Sequence, residues 1–140
     1  MAAFQKFNNM VADLANKVHN LGADTLKVLL TNTAPVATNT VIANITEIAA
    51  GNGYSTGGAA VAIASSTQSS GLYKLLPAAA TVVWTATGTV GPFRYVVLYN
   101  STAAAGNLLG WYDNGSNVTM NSGDTFTVTL DTVNGLIQLQ

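Results

Sequence analysis

Apolar residues near the N-terminus recur at alternating steps of three and four positions. They are Phe4, Phe7, Val11, Leu14, Val18 and Leu21, with polar residues between them. This spacing predicts an amphipathic helix with one continuous apolar face. Gly22 follows the last apolar position and suits a left-handed cap at the helix end. We therefore expect residues 1–22 to form a helix packed on or beside a single β-rich domain of residues 23–140.

From residue 25 onward the apolar period changes to two and β-forming residues dominate. The predicted strands are Thr25–Thr31, Val41–Ile48, a short one near Ala60–Ala64, Thr81–Thr87, Phe93–Asn100, Leu108–Tyr112, Asn117–Met120, Thr125–Leu130 and Leu136–Gln140. Apolar residues fall on both faces of Phe93–Asn100, so that strand should be covered on both sides. The predicted fold class is mainly β, an antiparallel sandwich or small barrel with one N-terminal amphipathic α-helix.

Two dipeptides, Asn114–Gly115 and Asn134–Gly135, are typical of tight hairpin turns with positive φ. The second predicts that Thr125–Leu130 pairs with Leu136–Gln140. The resulting cross-strand pairs are Val133 with Leu136 and Leu130 with Leu139. One face of this hairpin would carry Phe126, Val128, Leu130, Ile137 and Leu139. The other face would carry threonines and glutamines.

Residues 49–71 form a run of mostly Ala, Gly, Ser and Thr without any charge. We interpret this run as a long loop or surface arm. Loops of such length are uncommon in compact domains and are usually functional. The low sequence complexity is also compatible with disorder.

Charged residues make up 8% of the chain and the formal net charge is −1, whereas a typical soluble protein is about 25% charged. Thr, Asn and Ser together account for 40 of the 140 residues, so small neutral groups must cover the surface. Without a basic patch we expect neither nucleic acid nor a membrane surface as a partner. Residues 1–14 lack the pattern of a signal peptide, and no apolar run is long enough to span a bilayer.

Residues that could support catalysis are few. The single histidine, His19, lies beside the apolar stripe and is interpreted as a helix-surface residue. Three aspartates at or beside predicted turns are interpreted as turn caps. They are Asp113, Asp124 and Asp131. A calcium loop from Asp113 to Asp124 is excluded because Val118 stands where glycine is required. Residues 51–57 lack the third glycine of a dinucleotide loop. We expect no enzyme, no cofactor and no metal site.

The alternating three-four stripe also matches a short coiled-coil seam. The helix could therefore pack on its own sheet or on another subunit. The candidate interface residues are Phe4, Phe7, Val11, Leu14, Val18 and Leu21 in the helix, with Asn52 and Tyr54 in the loop.

Four runs of sequence resemble a family of small structural proteins of tailed bacteriophages. They are FQKFNN at 4–9, VHNL at 18–21, DTLKVLLTNTAP at 24–35 and ITEIAAGNGY at 45–54. The resemblance implies a virion component, most like a capsid decoration (cement) protein that binds the outside of the assembled head. It would be assembled in the host cytoplasm and located on the capsid surface. The implied partners are the major capsid protein in the assembled shell and further copies of this chain, as a homotrimer or homodimer.

Two other functions stay open at this point. One is a tail, baseplate or fibre component of the same virion. The other is a β-sandwich carbohydrate-binding module, for which exposed aromatic residues would be needed. The candidates for such residues are Trp84, Trp111 and Tyr112. Binding to a shell through neutral residues should depend little on salt.

Overall fold

The computed structural model describes residues 2–140. Within that range the chain forms one α-helix, one short 3₁₀ helix (Ile42–Asn44) and ten β-strands. The helix is α1 (Met10–Ala15). The strands are β1 (Gln5–Lys6), β2 (Leu26–Thr31), β3 (Ala59–Val61), β4 (Ile63–Ser69), β5 (Leu72–Pro77), β6 (Thr81–Thr85), β7 (Val90–Asn100), β8 (Leu108–Met120), β9 (Thr125–Thr129) and β10 (Ile137–Leu139). The predicted class, mainly β with antiparallel sheets in a sandwich-like arrangement and a helix near the N-terminus, is confirmed.

The strands form three antiparallel sheets. The largest has the order β1-β8-β7-β2-β3, the second the order β10-β5-β4, and the third consists of β6 and β9. The long strands β7 and β8 pair along most of their length and hold the centre of the large sheet. In this arrangement β1 and β10 are each the end strand of a sheet, so one edge of each lacks a partner strand.

A main hydrophobic core draws on one face of the large sheet and on the two smaller sheets. Alternation explains which side chains enter it: in β6, Val82 and Trp84 are buried, while the residues between them are exposed. The same alternation buries Phe126 and Val128 in β9. Because apolar and polar residues alternate regularly, each of these strands has one buried face and one face exposed to solvent.

A second hydrophobic cluster covers the opposite face of the large sheet. Its buried members are Phe7, Leu29, Val97, Tyr99, Leu108 and Trp111. Residues Ala37, Ile42 and Ile45, from the segment between β2 and β3, pack against it. Strand β7 is thus covered on both faces, as its sequence predicts. Phe93 nevertheless joins Val96 and Leu98 in the main core, because the register shifts between Phe93 and Tyr95.

The predicted helix over residues 1–22 is wrong in extent. Within residues 2–22, helical structure is restricted to Met10–Ala15, and residues 5–6 are extended as β1. After Ala15 the chain leaves the helix at Asn16, and Lys17 has a positive φ of 62°. The apolar residues spaced three and four apart therefore do not share one helix: Phe4 and Phe7 flank β1, Val11 and Leu14 lie in α1, and Val18 and Leu21 follow it.

The predicted hairpin at Asn134–Gly135 is also wrong. Strand β9 pairs with β6, and β10 pairs with β5. The Asp131 carboxylate accepts hydrogen bonds from the backbone N–H of Val133 at 2.9 Å and of Asn134 at 2.7 Å. This turn directs the chain away from β9 towards β5. The predicted faces still hold for Phe126, Val128, Leu130 and Ile137, which are buried, whereas Leu139 is 40% exposed.

The Asn114–Gly115 turn is replaced by continuous strand, since β8 runs from Leu108 to Met120 and includes both residues. The aspartates nevertheless act as caps. Asp113 accepts from the N–H of Gly115 at 2.7 Å, and Asp124 accepts from that of Asn121 at 2.8 Å.

Two further segments depart from the sequence-based expectation. Val41–Ile48 is not a strand but contains the 3₁₀ helix, flanked by isolated bridges at Val41 and Glu47. Residues 49–71 are only partly loop, because β3 and the whole of β4 lie within them. The short strand expected near Ala60–Ala64 corresponds to β3 and the start of β4.

Candidate functional site

An apolar groove of about 280 Å³ lies between the N-terminal segment and β10. One wall consists of Phe4 and Lys6, together with Met10, Val11 and Leu14 of α1. Residues 136–139 form the other wall. We call this the edge groove, because β1 and β10 are the end strands of two different sheets.

Aromatic packing holds the β1 wall in place. Phe7 is fully buried, and its ring lies 4.5 Å from that of Trp111. The ring of Phe4 lies 5.2 Å from that of Tyr112. Phe4 also occupies the space that a side chain at Gly110 would need, so only glycine fits at this position of β8. These contacts fix the N-terminal segment along the edge of the large sheet.

The helical part of the wall is anchored by one apolar and one polar side chain. Met10 is 2% exposed and belongs to the main core. The buried carboxylate of Asp13 accepts hydrogen bonds from the amide of Asn9 at 2.8 Å and from that of Asn107 at 2.9 Å. On the opposite side of α1, Val11 is 53% exposed. The helix therefore presents an apolar side chain to solvent at the groove.

Two lysines bring positive charge to this region. Lys6 lines the edge groove, and Lys17 lines a neighbouring pocket of about 470 Å³ that shares Leu14 and Leu139 with it. Within residues 2–140, neither lysine has a carboxylate within 4.0 Å. The neighbouring pocket also contains hydroxyl groups, because Ser66 Oγ and Tyr73 Oη lie 2.8 Å apart there.

A buried polar network lies behind α1. Asn100 Oδ1 accepts from the N–H of Thr102 at 2.9 Å and of Ala103 at 3.2 Å, which fixes the orientation of the amide. Asn100 Nδ2 donates to Asp24 at 2.6 Å and lies 3.2 Å from His19 Nδ1. Because Nδ2 can only donate, His19 Nδ1 must accept, and the ring proton is on Nε2.

His19 is therefore a core residue, and its interpretation as a helix-surface residue is wrong. It is 5% exposed, and Nε2 has no hydrogen-bond partner within residues 2–140. The nearest carboxylate oxygen, on Asp13, is 3.8 Å from Nε2. Burial lowers the pKa of His19, although the charges of Asp13 and Asp24 oppose the shift. The neutral ring is thus the form that this network accommodates.

On another side of the molecule, the exposed face of β6 and β9 carries two short rows of small side chains. We call it the threonine face; it consists of Thr81, Val83, Thr85, Thr125, Thr127 and Thr129. Across the strands Thr81 pairs with Thr129 and Thr85 with Thr125. The face is uncharged, and the backbones of the two strands are bonded to each other beneath it.

The predicted interface residues divide between the surface and the cores. Phe4, Val11 and Leu14 line the edge groove. Val18 is half-buried. Phe7 and Leu21 are buried, so their assignment to a partner interface is wrong in this fold.

Asn52 and Tyr54 lie away from the groove and act within the chain. Asn52 is exposed, and its amide donates to the carbonyl of Thr89 at 2.8 Å. Tyr54 is 2% exposed. Its hydroxyl donates to Glu47 at 2.7 Å and accepts from the N–H of Leu30 at 3.0 Å. Tyr54 as an interface residue is therefore wrong, since its contacts hold the loop to the sheet.

Sequence reasoning missed Lys6 and residues 136–139 as groove residues. The alternation of apolar and polar residues predicts a strand over Leu136–Gln140. The predicted partner of that strand is Thr125–Leu130, and this pairing leaves no indication that β10 has an unpaired edge. The aromatic residues proposed for sugar binding are mostly inside: Trp84 is 5% and Trp111 6% exposed, and Tyr112 is half-buried. Neither tryptophan is therefore exposed enough to stack against a sugar ring.

Comparison with family models, with curated proteins and with solved structures gives no match. Within residues 2–140, no group of three or more His, Asp or Glu side chains is placed to hold a metal ion. No helix in the described part of the chain has the length and apolar character needed to cross a membrane.

Proposed function

We propose that this protein is a bacteriophage structural protein, a capsid decoration protein that binds the outer surface of the assembled head. The phage assignment comes from the resemblance, which covers about residues 4–58 and, loosely, the β-rich remainder. The binding role is carried by one observation: the edge groove exposes apolar side chains beside two unpaired sheet edges. Val11 and Leu139 are 53% and 40% exposed there.

The size of the groove favours an assembled shell over a single subunit as the partner. A cavity of about 280 Å³ accepts only a few side chains, whereas stable interfaces bury about 1,200–2,000 Å² in total. Affinity must then come from several contacts made at once, as a lattice of repeated subunits provides. The threonine face supplies a second uncharged surface for such contacts, because its hydroxyl groups can exchange bonds to water for bonds to a neighbour.

The test is sedimentation of the purified protein with capsids that lack it. We expect the protein to pellet with capsids and to stay in solution with the unassembled shell subunit. Binding should persist at high salt with a modest loss, since in the described part of the chain the only lysines that line this surface are Lys6 in the edge groove and Lys17 in the neighbouring pocket. A folded protein that stays in the supernatant with capsids would contradict the proposal.

The same preparation distinguishes the tail alternative. Antibody labelling of negatively stained virions should mark the head surface. Labelling confined to the tail would replace the decoration function with that of a tail, baseplate or fibre component.

A further inference from the structure

The edge groove combines two features that are usually separate, unpaired strand edges and exposed apolar side chains. Strand β10 is bonded to β5 on one side only, and β1 to β8 on one side only. The groove runs along residues 136–139 of the β10 region and reaches Phe4 and Lys6 around β1. Free N–H and C=O groups at such edges are a template for another extended chain.

The side chains around these edges suit a strand with alternating apolar residues. Leu14 and Leu139 border both the edge groove and the neighbouring pocket, so apolar surface continues from one to the other. Val11 projects from α1 at the same place. An added strand would direct every second side chain into this surface, in the manner of β-strand addition.

Charge determines which strand fits best. Lys6 and Lys17 have no ion-pair partner within residues 2–140. The nearby carboxylates are already engaged: Asp13 accepts from two amides, and Asp24 accepts from Asn100 and from the N–H of Asn20. A third lysine, Lys74, donates to the carbonyl of Val133. Within residues 2–140 the two lysines therefore have no carboxylate at ion-pair distance, and the carboxylates of Asp13 and Asp24 are held by other partners.

We propose that the edge groove binds an extended, acidic segment of a partner polypeptide, which adds as a strand along β10. Its apolar side chains enter the groove, and its carboxylates lie near Lys6 and Lys17. This inference rests on the proposed function only in assigning the segment to a shell subunit. A second copy of this chain that docked through the same surface is the poorer occupant, because it would set its own Lys6 and Lys17 against these two lysines.

The probe is a blocked eight-residue peptide of alternating valine and glutamate, titrated into the isotope-labelled protein and followed by amide chemical shifts. We expect shifts at Ile137–Leu139 and Lys6, saturating at millimolar peptide or below. A peptide of alternating valine and lysine should bind about tenfold more weakly, because attractive contacts become repulsive. A peptide of the same composition with valines and glutamates in two blocks should also be weaker, since it breaks the alternation.

A charge reversal separates groove binding from general adhesion. The double variant Lys6→Glu with Lys17→Glu should prefer the valine–lysine peptide, while Lys27→Glu, away from the groove, should keep the preference of the parent protein. Unchanged preference in the double variant overturns the proposal, as does the absence of shifts along β10 at millimolar peptide. Concentration-dependent shifts at residues 137–139 without peptide, with a doubled mass in sedimentation, would assign the groove to a second copy instead.

These outcomes are independent of the capsid experiment. Peptide binding without capsid binding would retain the groove and reject the shell as its partner. Capsid binding that is unaffected by the double reversal would retain the decoration function and reject this groove as the contact.

Discussion

The edge groove and the threonine face are both exposed and both belong to sheets with unpaired edges, yet they differ in which side chains lie beside those edges. On the threonine face β6 and β9 bond to each other, and regular alternation places Thr outside and Trp84, Phe126 and Val128 inside. At the edge groove two sheets end without a partner strand, and a six-residue helix covers part of the gap. An unpaired edge alone therefore does not mark a docking surface, because β6 and β9 each have one too; the edge groove is distinguished by the apolar side chains that line it.

The largest expected difference between the two regions is in stability. Phe7→Ala should lower the free energy of unfolding by about 3–5 kcal/mol, because it empties a fully buried site behind the β1 wall. Val83→Ala, on the threonine face, should change it by only about 0.5 kcal/mol. Urea unfolding of both variants measures the difference. Equal losses would mean that the N-terminal segment contributes little to the fold.

A second substitution tests how firmly β10, which forms one wall of the edge groove, is held against β5. Gly135 has a φ of 94°, and an added side chain would meet the carbonyl oxygen of Leu75 at 2.7 Å. Gly123 has a similar φ of 92° but open space around it. Gly135→Val should therefore cost about 1–3 kcal/mol for the backbone strain, plus a steric cost that Gly123→Val lacks. Equal melting temperatures for the two variants would show that β10 can shift away from β5.

A smaller, pH-dependent effect is expected from the network behind α1. Burial lowers the folded-state pKa of His19 below its ordinary value of 6.5, so the unfolded chain binds a proton more readily. The free energy of unfolding should be highest above pH 6.5 and should fall as the pH drops through 6.5 towards the folded-state pKa. Protonation would set an N–H of His19 against the amide N–H of Asn100.

His19→Gln removes the only histidine in the chain and should flatten this dependence between about pH 7 and pH 5. Denaturant unfolding at several pH values measures it. If the free energy of unfolding of the variant changed with pH as steeply as that of the parent protein, the pH dependence would be assigned to the carboxylates instead.

The smallest expected effect lies on the threonine face. Val83→Thr completes a uniform set of threonines at an exposed position and should alter stability by no more than about 0.5 kcal/mol. Thermal unfolding checks this. A larger loss of stability would mean that Val83 packs against a neighbouring side chain. The threonine face would then not be a fully solvated surface at this position.

Strands with clear alternation could be predicted from the sequence because their environment is local. Residues 81–85 and 125–129 alternate strictly, and their buried and exposed sides follow from that pattern. The partners of these strands could not be predicted, since β9 bonds to β6 about forty residues away rather than to β10. The turn at Asp131 decides this, and the Asn134–Gly135 dipeptide alone gave the wrong partner.

Only one wall of the edge groove could be predicted from the sequence, because the other depends on long-range strand pairing. Phe4, Val11 and Leu14 were candidate interface residues from their spacing, and they do line it. The other wall depends on β10 being the end strand of its sheet, which is a property of long-range pairing. The sequence wrongly predicts a surface position for His19, because the burial of this residue depends on Asn100, which is 81 residues away in the sequence.

Two exposed valines allow the most direct test of the groove as the docking surface. Val11 is 53% exposed at the edge groove, and Val83 is 51% exposed on the threonine face. Val11→Glu and Val83→Glu should both fold, because each places a charge at a solvated position. With capsids that lack the protein, we expect the parent chain and Val83→Glu to pellet and Val11→Glu to stay in the supernatant. Pelleting of Val11→Glu to the same extent as the parent, or loss of binding only in Val83→Glu, would contradict docking through the edge groove.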